Sequence, residues 1–253
     1  LRLFCDQGNS RLKWRLLDDA DGIVHHGAVP KLAWADMCEQ LLNVPLPNAK
    51  KSMAVSVIWI SSVLEDESKA EFAQYLQSVF NLYPQFARVF KGFLGVEPAY
   101  EDLSTLGVDR WLAFSALFKD LGKACVAISA GSAITVDFVN DQGRHMGGLI
   151  YPGVGLMKEA MGRKSAALDL DLGVERNNDW QPGKSTSDCI ANALSAGVSG
   201  LLQQVCAYAQ TELGDPQVYI SGGDAAYLEA RFPGKCIFKE GLVFDGLLAL
   251  SRQ

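Results

Sequence analysis

Three short stretches combine a charged or hydroxyl side chain with glycine in a way that suits anion chemistry. In the first, Asp6-Gln7-Gly8-Asn9-Ser10-Arg11-Leu12-Lys13, a carboxylate opens a polar glycine turn and a lysine follows it. In the second, Ser129-Ala130-Gly131-Ser132, small residues join two apolar runs. Glycine beside a hydroxyl lets backbone N–H groups and a side-chain oxygen approach an anion closely, so phosphate is the ligand class these turns suggest. The third stretch, Gly107-Val108-Asp109-Arg110-Trp111, sets an acid and a base at the start of a run with helical apolar spacing, Trp111, Leu112, Phe114, Leu117. A carboxylate in a first helical turn is favoured by the helix dipole, and the two side chains can face an incoming ligand. The same spacing also suits an ordinary cap with a surface partner.

The elements that must carry these residues follow from the apolar pattern. Leu1 to Cys5, the turn Asp6 to Ser10 and the alternating Arg11 to Leu17 predict a hairpin; Ala124 to Ile128, the turn Ser129 to Ser132 and Ile134 to Val139 predict another. Laying Gly8 on Gly131 places Asp6 on Ser129 and Ser10 on Ala133, as a duplicated unit would. After the first hairpin come a third strand (Ile23 to Val29), a helix from Lys31 to Leu42 ending before Pro45, a buried strand (Ala54 to Ile60), a helix (Glu65 to Phe80) and a short strand (Ala87 to Phe90). After the second come a strand at His145 to Ile150, a helix from Val154 to about Leu168 and a long helix from Ser187 to Leu213. A strand at Val218 to Ser221, a helix near Asp224 to Arg231, a strand at Cys236 to Phe238 and a closing helix from Leu242 complete the chain. This order predicts an α/β chain of two ribonuclease-H-like lobes, residues 1–115 and 116–253, with a ligand cleft between them.

Composition narrows the partners. With 253 residues, 49% of them hydrophobic, the chain can bury a real core, and a net charge of −6 with no dense Lys/Arg run offers no surface for nucleic acid. No apolar segment reads as a membrane span of ~20 residues and no signal peptide is visible, so the expectation is a cytoplasmic protein that binds small molecules or protein. Cys5, Cys38, Cys125, Cys189, Cys206 and Cys236 form no Cys-x-x-Cys pair, and His25, His26 and His145 have no ligand spacing with them, so the cysteines read as buried thiols and a zinc site is not expected.

Taken together, Asp6 to Lys13, Gly107 to Trp111, Gly131-Ser132-Ala133-Ile134-Thr135-Val136-Asp137, Gly147-Gly148-Leu149-Ile150-Tyr151-Pro152-Gly153 and Ser221-Gly222-Gly223-Asp224 cover nearly the whole chain in order. In these motifs the chain resembles the type III pantothenate kinases of the acetate kinase, sugar kinase, heat-shock 70 and actin superfamily. The resemblance implies two actin-like ATPase lobes, a homodimer with the site near the dimer interface, and ATP-dependent phosphorylation of pantothenate, the first step of coenzyme A synthesis. It implies that Asp6 to Lys13 (Asp6, Gln7, Gly8, Asn9, Ser10, Arg11, Leu12, Lys13) and Ser132 bind ATP, with Asp6 organising Mg²⁺ through water. By the same resemblance Asp109 is the catalytic base, and Tyr100, Gly107, Val108, Asp109, Arg110 and Thr186 bind pantothenate, Thr186 from the dimer partner. Read from spacing alone, Tyr100 also suits plain packing, Thr186 suits a helix N-cap, and Asp137 suits a strand terminus. Gly147, Gly148, Pro152 and Gly153 read as turn and close-packing residues outside the site.

One departure stands out. The family's aspartate for a monovalent cation, K⁺ or NH₄⁺, is replaced here by Ser129, which lends an oxygen but no charge, so cation affinity should fall or the ligand must come from elsewhere. Two other readings follow from the same resemblance: a weakly active or inactive relative serving as a regulatory accessory protein, and a sugar or carboxylate kinase of the superfamily.

Overall fold

The N-terminal alternation folds as a meander of β1 (Arg2–Gln7), β2 (Arg11–Leu17) and β3 (Ile23–Pro30) in a computed structural model that describes residues 1–44, 54–162, 181–214 and 216–253. Helix α1 (Trp34–Leu42) leads on to β4 (Val57–Ser62), which lies parallel to β1, and α2 (Asp66–Phe80) leads to the short β5 (Gln85–Phe86) beside β4. The sheet order is β3-β2-β1-β4-β5. Leu3, Cys5, Leu12, Trp14, Leu16, Ile58 and Ile60 meet Met37, Leu41, Phe72 and Leu76 of the two helices in one core. This is the alternation of the strands combined with the 3.6-residue stripe of the helices.

The second half repeats that winding. After α3 (Val108–Leu121) come β6 (Cys125–Ala130), β7 (Ala133–Val139) and β8 (His145–Pro152), then α4 (Val154–Gly162), α5 (Thr186–Leu213), β9 (Gln217–Ser221), α6 (Ala225–Arg231), β10 (Cys236–Phe238) and α7 (Leu242–Leu250). Its sheet order, β10-β9-β6-β7-β8, is the first order with corresponding strands exchanged. In each sheet the opening strand has an antiparallel partner on one side and a parallel one on the other, and Asp6 pairs with Ser61 as Ser129 pairs with Ser221. The duplication expected from the two hairpins is therefore a duplication of the whole five-stranded layout.

By internal contacts the chain forms two compact units, one of Leu1–Phe90, Asp102–Ala116 and Val243–Gln253, the other of Lys91–Glu101 and Leu117–Leu242. In the first unit Gly246 brings α7 against α3 so closely that a Cβ would lie 2.6 Å from the Leu112 carbonyl oxygen.

Several boundaries differ from expectation. Asp6 and Gln7 belong to β1 and Ser129 and Ala130 to β6, because ladder pairing, on both sides for Asp6, Gln7 and Ser129 and with β7 for Ala130, outweighs the turn preference of small and polar residues. The second hairpin loop is one residue shorter, since Gly8 N–H donates to the Arg11 carbonyl whereas Gly131 N–H donates to that of Ala133; Ser10 therefore has no counterpart at Ala133. Helix α1 begins at Trp34 with Leu32 exposed, and the strand expected at Ala87 to Phe90 is instead Gln85–Phe86, with Ala87 N–H continuing the ladder to the Ile60 carbonyl. The stop expected at Pro45 and the end of the helix expected near Leu168 lie outside the described residues. Helix α5 is, by length and composition, long and apolar enough to cross a membrane, contrary to the expectation of no such segment. It buries Ala191, Val198, Leu202, Val205 and Ala209 in the core of its own unit, the stripe of a core helix.

Candidate active site

In the first unit β1 delivers Asp6 and β2 delivers Lys13 directly opposite it. Asp6 keeps part of its side chain at the surface, yet it is ringed by enough protein to lose most of its hydration. Its carboxyl is pushed up to about 6, first by that desolvation and then by the neighbouring Asp109, while Lys13 and Ser61 pull it back. Asp109 and Asp6, more than a hundred positions apart in sequence, are thus electrostatic neighbours. Ser61, the register partner of Asp6 on β4, faces the carboxylate closely enough to favour ionisation, though its buried Oγ makes no hydrogen bond of proper geometry among the described residues.

Gln7 is fully buried; its Oε1 accepts from Ser62 Oγ at 2.9 Å and its Nε2 has no hydrogen-bond partner among the described residues. Such orphaned polar atoms beside a partly desolvated carboxylate fit a divalent cation with its waters and phosphates, which needs few protein ligands. Beyond β1 the loop Gly8-Asn9-Ser10 leads to Arg11 at the start of β2; Asn9, Ser10 and Arg11 are exposed, and Gly8 is half-buried with its N–H donated to the Arg11 carbonyl. Leu12 is wholly in the core, so only its backbone is available.

Gly107 heads α3, its carbonyl accepting from Trp111 N–H at 3.1 Å. Val108 is buried, Asp109 is half-buried with Oδ1 accepting from Arg110 N–H at 2.8 Å, and Arg110 is 6% exposed. The reading of Arg110 as a surface partner of a cap is thereby corrected: a guanidinium taken out of water in the first turn beside Asp109 is a built feature of this unit.

The remaining expected residues belong to the second unit. Ser132 is exposed at the tip of the β6–β7 hairpin, where its carbonyl accepts from Gly153 N–H at 3.2 Å. Gly153 packs so tightly that a Cβ would lie 2.1 Å from the Gly131 carbonyl oxygen, so glycine here shapes the hairpin. Ser129 aligns with Thr135 on β7 and Ser221 on β9, so three hydroxyl residues stand in register across these strands. Thr186 is the exposed first residue of α5, and the N-cap is Ser185, whose Oγ accepts from Asp188 N–H at 3.1 Å.

Sequence reasoning missed Ser61, which carries no local signal and is found only through β4 lying parallel to β1, and the pairing of His145 with Asp137. Asp137, read as a possible strand terminus, sits within β7 and is 2% exposed, with Oδ1 3.0 Å from His145 Nε2.

Two units of this winding, with glycine hairpins at the ends of their opening strands, define an actin-like ATPase or sugar-kinase fold. The fold is shared with a conserved Baf family protein from Campylobacter jejuni (TM-score 0.61, 20% identity, covering 99% of this chain and 97% of that one). It is shared too with the activator of 2-hydroxyisocaproyl-CoA dehydratase from Clostridium difficile, solved with ADPNP (TM-score 0.55, 12% identity, 98% and 91% covered). The chain belongs to the type III pantothenate kinase family, whose model matches residues 2–208. It is 33% identical over 268 residues to the type III pantothenate kinase of Saccharophagus degradans, with 99% of this chain and 98% of that one covered.

Proposed function

We propose that the chain transfers the γ-phosphoryl group of ATP to the primary hydroxyl of pantothenate, the first step of coenzyme A synthesis. Membership of the family carries the reaction, and the grouping of Asp6, Lys13 and Asp109 in one unit is the observation that supports its chemistry here. Asp109 accepts the proton of the attacking hydroxyl. In a loose phosphoryl-transfer transition state, orienting that oxygen matters more than strong basicity, so a half-buried carboxylate held by a helix N-terminus suits the task. Arg110 holds the substrate carboxylate, with Gly107 and Val108 shaping the turn and Tyr100 and Thr186 completing the pantothenate site. Asp6, Lys13, the Gly8 to Arg11 loop and Ser132 bind ATP. When Mg²⁺ is bound with the nucleotide it neutralises developing phosphate charge, and Asp6 is the residue that would hold its water shell.

The accessory-protein reading is not favoured, because Asp6, Lys13, Asp109 and Arg110 are all retained, and the likeness to the Baf family protein, at 20% identity, speaks for fold alone. With Ser129 in place of the family's aspartate, K⁺ or NH₄⁺ should bind more weakly unless another residue supplies the ligand. The homodimer is supported by exposed Leu149 and Ile150 on β8 and Leu156 and Met161 on α4. A cytoplasmic site of action is supported by all six cysteines being free.

The test is ATP-dependent phosphorylation of pantothenate by the purified protein, in K⁺ and in Na⁺, beside Asp109→Asn. Turnover in both salts that falls by about 10²- to 10⁴-fold in the variant is expected of a lost general base. No turnover by the folded wild-type protein sinks the kinase assignment.

A further inference from the structure

The segment that carries Tyr100 is seamed to the start of β8. Glu97 N–H donates to the Gly143 carbonyl at 2.9 Å and the Glu97 carbonyl accepts from His145 N–H at 2.9 Å. Gly143 has φ +73°, and a Cβ there would lie 2.2 Å from the Gly95 carbonyl oxygen, so only glycine allows the approach. At the end of this seam the His145 ring, 3% exposed, stacks on Tyr100 with 6.1 Å between centroids and 15° between planes. Behind it, Nε2 lies 3.0 Å from Asp137 Oδ1, and Ala99 N–H donates to Nδ1 at 3.4 Å. Nδ1 accepts only when it carries no proton, so Nε2 bears the hydrogen and donates it to Asp137. Both nitrogens are therefore engaged, which fixes the plane of the imidazole and, through the stack, that of the half-buried Tyr100.

We infer that His145, oriented by Asp137, is the positioning residue for Tyr100 and through it for pantothenate. A buried carboxylate–imidazole pair is costly to assemble, and here the pair backs the one aromatic ring assigned to the substrate. The inference rests on Tyr100 being a pantothenate ligand, and the experiment separates the two claims.

Steady-state kinetics are measured with the full chain for wild type, His145→Gln, Tyr100→Ala and the double variant, varying pantothenate and ATP separately. Glutamine keeps a donor for Asp137 and removes the ring, so the protein stays folded by circular dichroism and thermal melting. For His145→Gln the KM for pantothenate rises about three- to tenfold, the worth of one aromatic pair, while kcat and the KM for ATP change little. Tyr100→Ala raises the pantothenate KM further, and adding His145→Gln to it has no additional effect. An unchanged pantothenate KM in His145→Gln, additive effects in the double variant, or an equal rise in both KM values overturns the positioning role. An unchanged pantothenate KM in Tyr100→Ala removes the tyrosine from the site, and the inference falls with it.

Discussion

Asp6 is where stability and function pull against each other. Its carboxyl is raised from 3.8 to about 6, so the folded chain binds that proton more tightly than the unfolded one. The corresponding stability is complete below about pH 4 and is lost as pH rises through about 6. Asp6→Asn should therefore raise the Tm of the ligand-free protein near neutral pH, with a gap that closes toward pH ~4. The upper limit is about 3 kcal/mol at ~1.36 kcal/mol per pKa unit, reduced by whatever hydration the carboxylate keeps. Function runs the other way: the ionised form serves the nucleotide, so the wild-type KM for ATP should climb below pH ~6 and Asp6→Asn should show a high KM at every pH. Thermal melts and ATP titrations across the same buffers check both; a variant no more stable than wild type near neutrality would contradict the desolvation account. Asp6 was legible in the sequence as a carboxylate beside a glycine turn, but nothing local announces that Asp109 is its neighbour.

At the scale of elements, the start of α5 divides two roles that the sequence left together on Thr186. Ser185 takes the cap, so Ser185→Ala should cost about 1 kcal/mol of stability and leave the pantothenate KM nearly unchanged. Thr186→Val should do the reverse, holding Tm and raising that KM. Differential scanning calorimetry with steady-state kinetics decides, and loss of stability in Thr186→Val with unchanged kinetics would return the threonine to a structural role. Most elements were readable from period alone, because alternation in Arg11–Leu17 and Ala133–Val139 and the apolar stripe of Asp66–Phe80 report which face is buried. Boundaries at Asp6, Gln7, Ser129 and Ala130 were not, since turn-type residues extend strands when neighbouring strands supply the ladder bonds.

For the whole molecule, the exposed apolar residues of the edge strand β8 and of α4 lead to a prediction about assembly. Ile150 is 67% exposed, more than any other large apolar residue described. Sedimentation equilibrium should give a particle of twice 27.4 kDa, and Ile150→Arg should shift it toward the single chain. A wild-type monomer would contradict the homodimer. What the sequence determined by itself was the class of fold, the duplicated hairpin, the family and the residue types at each loop, because these depend on periodicity and on local chemistry that neighbours in sequence share. Only the tertiary structure decided that Ser61 lies beside Asp6 on the neighbouring strand, that Asp109 raises the carboxyl of Asp6, that Arg110 is buried, and that Asp137 holds the histidine stacked on Tyr100. Each depends on strand register or on packing between elements tens of residues apart, and no local pattern encodes which distant side chains such pairing brings together.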